Sequence, residues 1–518
     1  MVREIKDFII KYLLALVLTV LLIVPVLATL FSWLLKAGET GAFTYLNKEA
    51  FLLIAKSMLV SSLVALFATA IGTACGFILH KIRIKGSGIY SILLLIPLLV
   101  SPYIFAVAWK DIWVILMGNA SPVNSFAGVI MVHTLIYFPL AILITGNALA
   151  NIHSGIEDAG LLVTSFRRMV FRILLPLIRP VISTSYILIL IFSLSDFSVP
   201  AFFGVRTFTV ELFTQFSAFY NHDAAIAQAL LLVFLCLVLI LSESRYLSSA
   251  PFFAVDVKGN LSRTYSLSKN AFIVHLIFLL LIVIAVVMPV CMLLIQSLSG
   301  KQNEFLHAFQ LLKPAVFQSL KMALSGAVII TLIGLLAAHL QERNHSSMSN
   351  WILLGTFILP STVLGIAFIK FYNQPATAII YATMLIVLIG YLGKFGFIIS
   401  RIMGNGFKQL PRSLEEAAAI AGSNSFRRFF KILLPLLFPS LFTGFVLAFV
   451  LCLGELGISI MVYPPGTELM PVKIFTISAN ASQSLTSSMT LISFSVTIFF
   501  LVLFYIGGKV LFKKYRYV

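Results

Sequence analysis

The stretch SLEEAAAIAGSNSFRRFFKILLP, from Ser413 to Pro435, lies between two long apolar runs, and its reading decides what the chain is. A second stretch, SGIEDAGLLVTSFRRMVFRILLP, occupies the same setting 259 residues earlier, from Ser154 to Pro176. Both open with Ser-x-x-Glu. That spacing fits a capping box, in which the Ser side chain accepts from the Glu backbone N–H and the Glu reaches back. A short helix is therefore expected to begin at Ser154 and another at Ser413. The second runs through Ala417, Ala418, Ala419 and Ala421, good helix formers. It is expected to stop at Gly422, which takes the left-handed conformation that ends helices. A further short helix, Phe426 to Leu434, carries Arg427, Arg428 and Lys431, and Pro435 is expected to start the next apolar span. Such helices are too polar to enter lipid and too short to stand alone, so they call for a partner surface. A basic loop beside anionic headgroups would explain the arginines, but not why the whole device occurs twice.

The surroundings of the two stretches are those of a membrane protein. Of 518 residues, 60% are apolar and 10% are charged, against about 25% charged in soluble domains. At about 20 residues per helix, the length leaves room for roughly a dozen spans and almost no extramembrane domain. Apolar runs fall near 8–31, 52–79, 89–113, 126–149, 177–196 and 224–242, then near 271–297, 315–339, 351–371, 377–400, 436–455 and 486–508. Residues 1–242 and 271–518 thus read as two six-span halves. Residues 243–270, with Ser248, Ser249, Pro251, Ser262 and Ser266, read as a cytoplasmic linker.

The net charge of +18 would suggest nucleic acid in a soluble protein, but here the charges are sorted by loop. Counting alternate connections puts 25 of the 36 Lys and Arg on one side, so the positive-inside rule places both termini in the cytoplasm. Ser57 and Gly72 recur as Ser319 and Gly334 at an offset of 262. Parallel halves of this kind leave a pathway along their shared axis. The four Cys residues, Cys75, Cys236, Cys291 and Cys452, form no Cys-x-x-Cys pair, and they read as small buried hydrophobes.

Intramembrane carboxylates are costly and face a cavity or a partner. Asp196 follows Pro176 by 20 residues, as Glu455 follows Pro435. A helix continued for 20 residues rises about 30 Å, which puts the two acids toward the outer ends of spans 5 and 11, facing each other. They are expected to line the mouth or gate of the pathway and to favour a cationic substrate; acids solvated at helix ends are the alternative. Val210-Glu-Leu-Phe-Thr214 and Val472-Lys-Ile-Phe-Thr476 then read as re-entrant or gate-covering segments, or as ordinary outer loops. Arg206 and Lys473 have Glu211 and Glu468 as possible partners. Lys394 is expected to snorkel toward the cytoplasmic interface, and Lys110 is expected to neutralise Asp111. His133 and His275 have no second ligand at metal spacing.

Glu416-Ala417-Ala418, three residues, Gly422, nine residues, then Ile432-Leu-Leu-Pro435 resembles the EAA loop of the membrane subunits of ABC importers. The first copy keeps Glu157-Asp158-Ala159 and Ile173-Leu-Leu-Pro176, with Val163 where the glycine is expected. The two-halves arrangement and segments such as Ser195-Asp-Phe-Ser-Val-Pro200 and Gly454-Glu-Leu-Gly457 are similar to the fused ferric-iron permeases, with thiamine permeases close by. The resemblance implies an all-α polytopic fold of the type I importer (MetI-like) kind in the bacterial inner membrane. It implies two cytoplasmic ABC ATPases, contacted at Ser154, Glu157, Asp158, Ala159, Ser413, Glu416, Ala417, Ala418, Gly422, Arg427 and Arg428. It also implies a periplasmic or lipid-anchored substrate-binding protein. ATP and Mg would sit on the ATPase, and this chain would bind no cofactor, metal or nucleic acid. It carries no G-x-x-x-x-G-K-[ST], H-E-x-x-H or G-x-S-x-G, so no catalytic residue is expected. Thiamine, polyamines and phosphonates stay open as cargo, and an ion-coupled secondary transporter is the reading from another class. Such a carrier would not need the duplicated insertions.

Overall fold

A computed structural model describes residues 11–40, 42–150, 152–247, 264–266, 271–300 and 304–515. Most of the linker, including Ser248, Ser249, Pro251 and Ser262, lies outside the described residues. The fold is all-helical, and among the described residues the single extended contact is a bridge between Ile82 and Tyr265.

The first half contains α1 (Lys11–Leu35), α2 (Lys48–Lys81), α3 (Ser87–Leu99), α4 (Pro102–Met117) and α5 (Phe126–Ala150). It continues with α6 (Ser154–Val163), α7 (Phe166–Leu177), α8 (Arg179–Ser195), α9 (Ser198–Phe202), α10 (Phe208–Ser217) and α11 (His222–Leu247). The second half repeats the order with α12 (Phe272–Leu298), α13 (Glu304–Asn344), α14 (Met348–Ile358), α15 (Ser361–Tyr372) and α16 (Leu385–Lys408). Then follow α17 (Arg412–Ile420), α18 (Ser425–Gly454), α19 (Ser459–Val462), α20 (Met470–Ser478) and α21 (Gln483–Leu511). Among the described residues, eight helices are long and apolar enough to cross a membrane, and three bent pairs, each counted as one span, bring the number to eleven. A shorter apolar helix, His222–Val238, stands at the sixth apolar run.

The third span of each half is not the single helix that its apolar run suggested. α3 and α4 meet at 95°, and α14 and α15 at 105°. Both breaks fall at a Ser and a Pro, Ser101-Pro102 and Pro360-Ser361. A proline has no N–H to give its helix and drives the residue before it out of the α region. Ser101 and Leu359, the residues before Pro102 and Pro360, are accordingly extended, at ψ 134° and 131°.

Pro435 does not start a span. α18 is continuous from Ser425 to Gly454, with a π turn over Phe429–Leu433 immediately before the proline. The wider turn accommodates a residue that lacks an N–H. The first half carries the matching π turn at Val170–Leu174, but there the helix bends by 62° between α7 and α8, at Ile178, just ahead of Arg179-Pro180.

Glycines set the closest helix crossings. A Cβ on Gly72 would lie 2.3 Å from the Phe138 carbonyl, so α2 and α5 touch backbone to backbone. Gly334 brings α13 against the backbone of α16, where a Cβ would lie 3.1 Å from Ser400 N. The halves also interlock, because the first span of each lies across the other. On α1, the Thr29 hydroxyl donates to the Ala367 carbonyl of α15, and the Leu21 carbonyl accepts from Tyr372 at 2.9 Å. On α12, His275 meets the Tyr90 hydroxyl of α3 at 2.8 Å.

Candidate functional site

Two regions carry the polar chemistry, the short helices α6 and α17 after the fourth span of each half, and a cavity between the halves.

The short helices form where the sequence puts them, but not by capping boxes. α6 begins at Ser154 with His153 as its cap, the His153 ring accepting from Gly155 N–H. α17 begins at Arg412 after Pro411, with no side-chain cap. Ser154 and Ser413 therefore lie inside the first turns, and neither caps a glutamate. The cap is replaced by an ion pair with the second span of each half. Glu157, fully buried, pairs with Lys81 at the end of α2, equally buried. Glu415, rather than Glu416, pairs with Arg343 at the end of α13. Arg343 also donates to the Leu410 carbonyl at 3.1 Å. Lys81 and Arg343 are 262 residues apart, the offset already shown by Ser57 and Ser319. This was the sequence signal that would have exposed the pairing.

Glu157 has a further partner that was not foreseen. The Tyr265 hydroxyl, from the linker, donates to its second oxygen at 2.6 Å. Backbone bonds from Tyr265 N–H to the Lys81 carbonyl (2.7 Å) and from Arg83 N–H to the Tyr265 carbonyl (2.9 Å) fix that tyrosine, and its ring lies 4.8 Å from Phe166. Glu157 is thus placed to hold α6 from behind, out of reach of a docking partner. Glu416, Ala417, Gly422 and Arg427 are exposed, as are Ser413 and Ala159, while Ala418, Asp158 and Ser154 are half-buried. Arg428 is buried and closes the turn by donating to the Ser423 carbonyl at 3.0 Å.

α17 ends as expected. Gly422 is left-handed at φ 79°, Gly422 N–H donates to the Ala419 carbonyl and Ser423 N–H to the Ala418 carbonyl, a Schellman motif. In the first half the residue at that place is Val163, and α6 ends without a left-handed residue, on an extended Thr164. The tips present apolar side chains to solvent: Leu162 and Val163 are each 88% exposed, and Ile420 is 89% exposed.

The cavity, of about 150 Å³, is lined from both halves by Ser101, Tyr137, Ser195 and Asp196 and by Ser361, Lys394, Arg401 and Glu455. Asp196 ends α8 and Glu455 ends α18, with nearly identical backbone angles. Each carboxylate then caps the next short helix. Asp196 accepts from Val199 N–H (3.0 Å) and the Ser198 hydroxyl (2.8 Å), Glu455 from Ile458 N–H (2.7 Å), Ser459 N–H (3.0 Å) and the Ser459 hydroxyl (2.8 Å). The sequence-predicted pair therefore shares one cavity. His133 joins Asp196, Nε2 to Oδ2 at 3.0 Å, while its Nδ1 meets Ser193. Lys394 does not reach toward an interface: it is buried, lines the cavity, and its Nζ faces the Leu359 carbonyl at 3.4 Å. Lys110 and Asp111 are not an ion pair. Asp111 accepts from Gln483 and Ser487 of α21, and Lys110 lies over the Phe202 ring at 5.0 Å.

Beyond the cavity, α10 and α20 are pinned identically. Ser57 Oγ accepts from Phe208 N–H at 2.9 Å, and Ser319 Oγ from Met470 N–H at 2.6 Å. Left-handed Gly204 and Gly466 turn the chain ahead of each. Arg206 pairs with Glu211, and Lys473 with Glu468. Burial pushes the Glu211 carboxyl up, but hydrogen bonds from Arg206 and Gln215 and the Arg206 charge outweigh it and leave it below its ordinary value.

No group of three or more His, Cys, Asp or Glu among the described residues is placed to hold a metal ion. Residues 330–517 match the family model described as binding-protein-dependent transport system inner membrane component. The chain is similar to the Fe(3+)-transport system permease protein FbpB 2 of Haemophilus influenzae, 22% identical over 74% of this chain and 75% of the relative. It is 23% identical to the ferric transport system permease protein FbpB of Actinobacillus pleuropneumoniae over 74% of this chain, and spans 60% of that relative. Over 31% of its length it is 24% identical to the putrescine transport system permease protein PotI of Escherichia coli, covering 60% of that protein.

Proposed function

We propose, from the match of residues 330–517 of this multi-pass membrane protein to the inner membrane component of binding-protein-dependent transport systems, that the whole chain is the permease of an ATP-driven importer of ferric iron. The observation that carries the reading is the duplicated pair of short helices. Each is anchored by an ion pair to the end of the second span of its half and each ends in bare apolar side chains. Apolar tips on otherwise polar turns mark a docking surface.

In this reading the chain hydrolyses nothing. Two copies of a separate cytoplasmic ATPase dock on α6 and α17, through Glu416, Ala417, Arg427 and the tips at Leu162, Val163 and Ile420. Movement of α6 passes to α2 through Lys81, and movement of α17 passes to α13 through Arg343. The interlocked halves then rock about the cavity and switch its access. A substrate-binding protein delivers cargo on the opposite side, over α10 and α20, and both termini lie in the cytoplasm. The names of the two ferric relatives support the cargo. Cells lacking the gene should lose binding-protein-dependent uptake of radiolabelled ferric iron and regain it on complementation; unchanged uptake would refute the cargo.

A further inference from the structure

The cavity contains a charge that the proposed function leaves without a task. Lys394 is 6% exposed, and among the described residues its ammonium has one oxygen neighbour, the Leu359 carbonyl at 3.4 Å. A buried ammonium without an ion-pair partner is costly, and an ionisable group inside a membrane protein marks a pathway or a partner. The two carboxylates of the cavity attract it only from a distance, and both are engaged elsewhere. Asp196 is occupied by His133, Ser198 and Val199, and Glu455 by Ile458 and Ser459. Among the described residues neither forms an ion pair with Lys394 within 4 Å. Near Asp196 the Ser195 hydroxyl also lines the cavity, buried and, among the described residues, without a hydrogen-bond partner. Arg401, over the Phe397 ring at 5.2 Å, adds a second positive charge to the lining.

The cavity therefore offers two open donors, the Lys394 ammonium and the Ser195 hydroxyl, beside carboxylates that each already accept three hydrogen bonds. A bare metal cation would compete with those hydrogen bonds for its ligands, and hard cations take several oxygens. A polyamine would face the same competition and meet Lys394 as a like charge. A solute bearing an oxyanion, carboxylate or phosphonate, satisfies both the ammonium and the hydroxyl, and charge-assisted hydrogen bonds are the strong ones.

We propose that the cavity binds its cargo through an oxyanion group held by Lys394 and Ser195, so that ferric iron crosses inside an anionic shell of oxygen ligands. This rests on the cavity being the cargo route, not on the ATPase contact. The oxyanion has two possible sources, the shell of a ferric complex or a free organic anion.

The test uses the purified full-length chain in lipid nanodiscs, without ATPase, titrated calorimetrically with ferric citrate, citrate alone, 2-aminoethylphosphonate and putrescine. Ferric citrate should bind, putrescine should not, and Lys394→Met should weaken the oxyanion probes by about tenfold or more. Lys394→Arg should retain part of the affinity, and Ser195→Ala should weaken it less than Lys394→Met. Ferric citrate binding more tightly than citrate and the phosphonate identifies the shell as the source. The reverse order keeps the oxyanion site and removes the iron reading. Putrescine binding, no binding by any probe, or oxyanion binding unchanged in Lys394→Met would overturn the proposal. Should Lys394→Met fail to fold, as judged by gel filtration, Lys394→Arg and Ser195→Ala decide it. Loss of ATPase copurification would leave these titrations untouched and count against the importer alone.

Discussion

Glu157 and Glu416 look equivalent in the sequence, and the structure gives them opposite environments. Glu157 is fully buried against Lys81 and Tyr265, whereas Glu416 is exposed and its neighbour Glu415 makes the matching ion pair. Removing one partner of a buried pair leaves the other charge uncompensated, at about 3–5 kcal/mol. Glu157→Ala should therefore lower the thermal unfolding temperature of the purified protein clearly. Glu416→Ala should leave it unchanged and lower uptake instead. Equal unfolding temperatures for both variants would contradict the assignment. The positions of the two acid-bearing insertions were legible in the sequence because they recur with the ILLP motif. Their internal wiring was not, because a capping box and an ion pair to a distant helix end leave the same Ser-x-x-Glu string. Lys394 was misread for a related reason: seven residues from Arg401 suggests an interface, and only packing shows that a cavity lies beside it.

At the scale of elements, hydropathy found the spans and missed their bends. An apolar window registers composition, while the 95° and 105° breaks come from two residues each, Ser101-Pro102 and Pro360-Ser361. Proline in the next span misled in the other direction. A π turn accommodates Pro435, so the helix goes on where a start was expected. Glycine spacing was more informative, since Gly72 and Gly334 recur in the sequence and each lies where its helix meets the backbone of a neighbouring span. A side chain on Gly72 would drive its Cβ to 2.3 Å from the Phe138 carbonyl, while a Cβ on Gly88 meets nothing within 4 Å. Overpacking of this kind costs about 1–3 kcal/mol. Gly72→Val should reduce the yield of folded protein in detergent by gel filtration, and Gly88→Val should not. Tolerance of both would contradict the backbone contact between α2 and α5.

Over the whole molecule, the duplicated pattern was readable because both copies kept their offsets, 259 around the cavity acids and 262 for Ser57, Gly72 and Lys81 with their counterparts. What no offset conveys is the interlocking, in which α1 lies on α15 and α12 on α3. The basic loops predict that reporter fusions at both termini give cytoplasmic signals, and an external signal from either would invert the proposed direction of transport. The central claim concerns the two apolar tips. Purification of the chain from its native membrane should bring a soluble ATPase with it, at two copies per chain. Leu162→Asp should reduce that to one copy, Ile420→Asp likewise, and the double variant should bring none while remaining folded. Full ATPase recovery with the double variant would contradict the account.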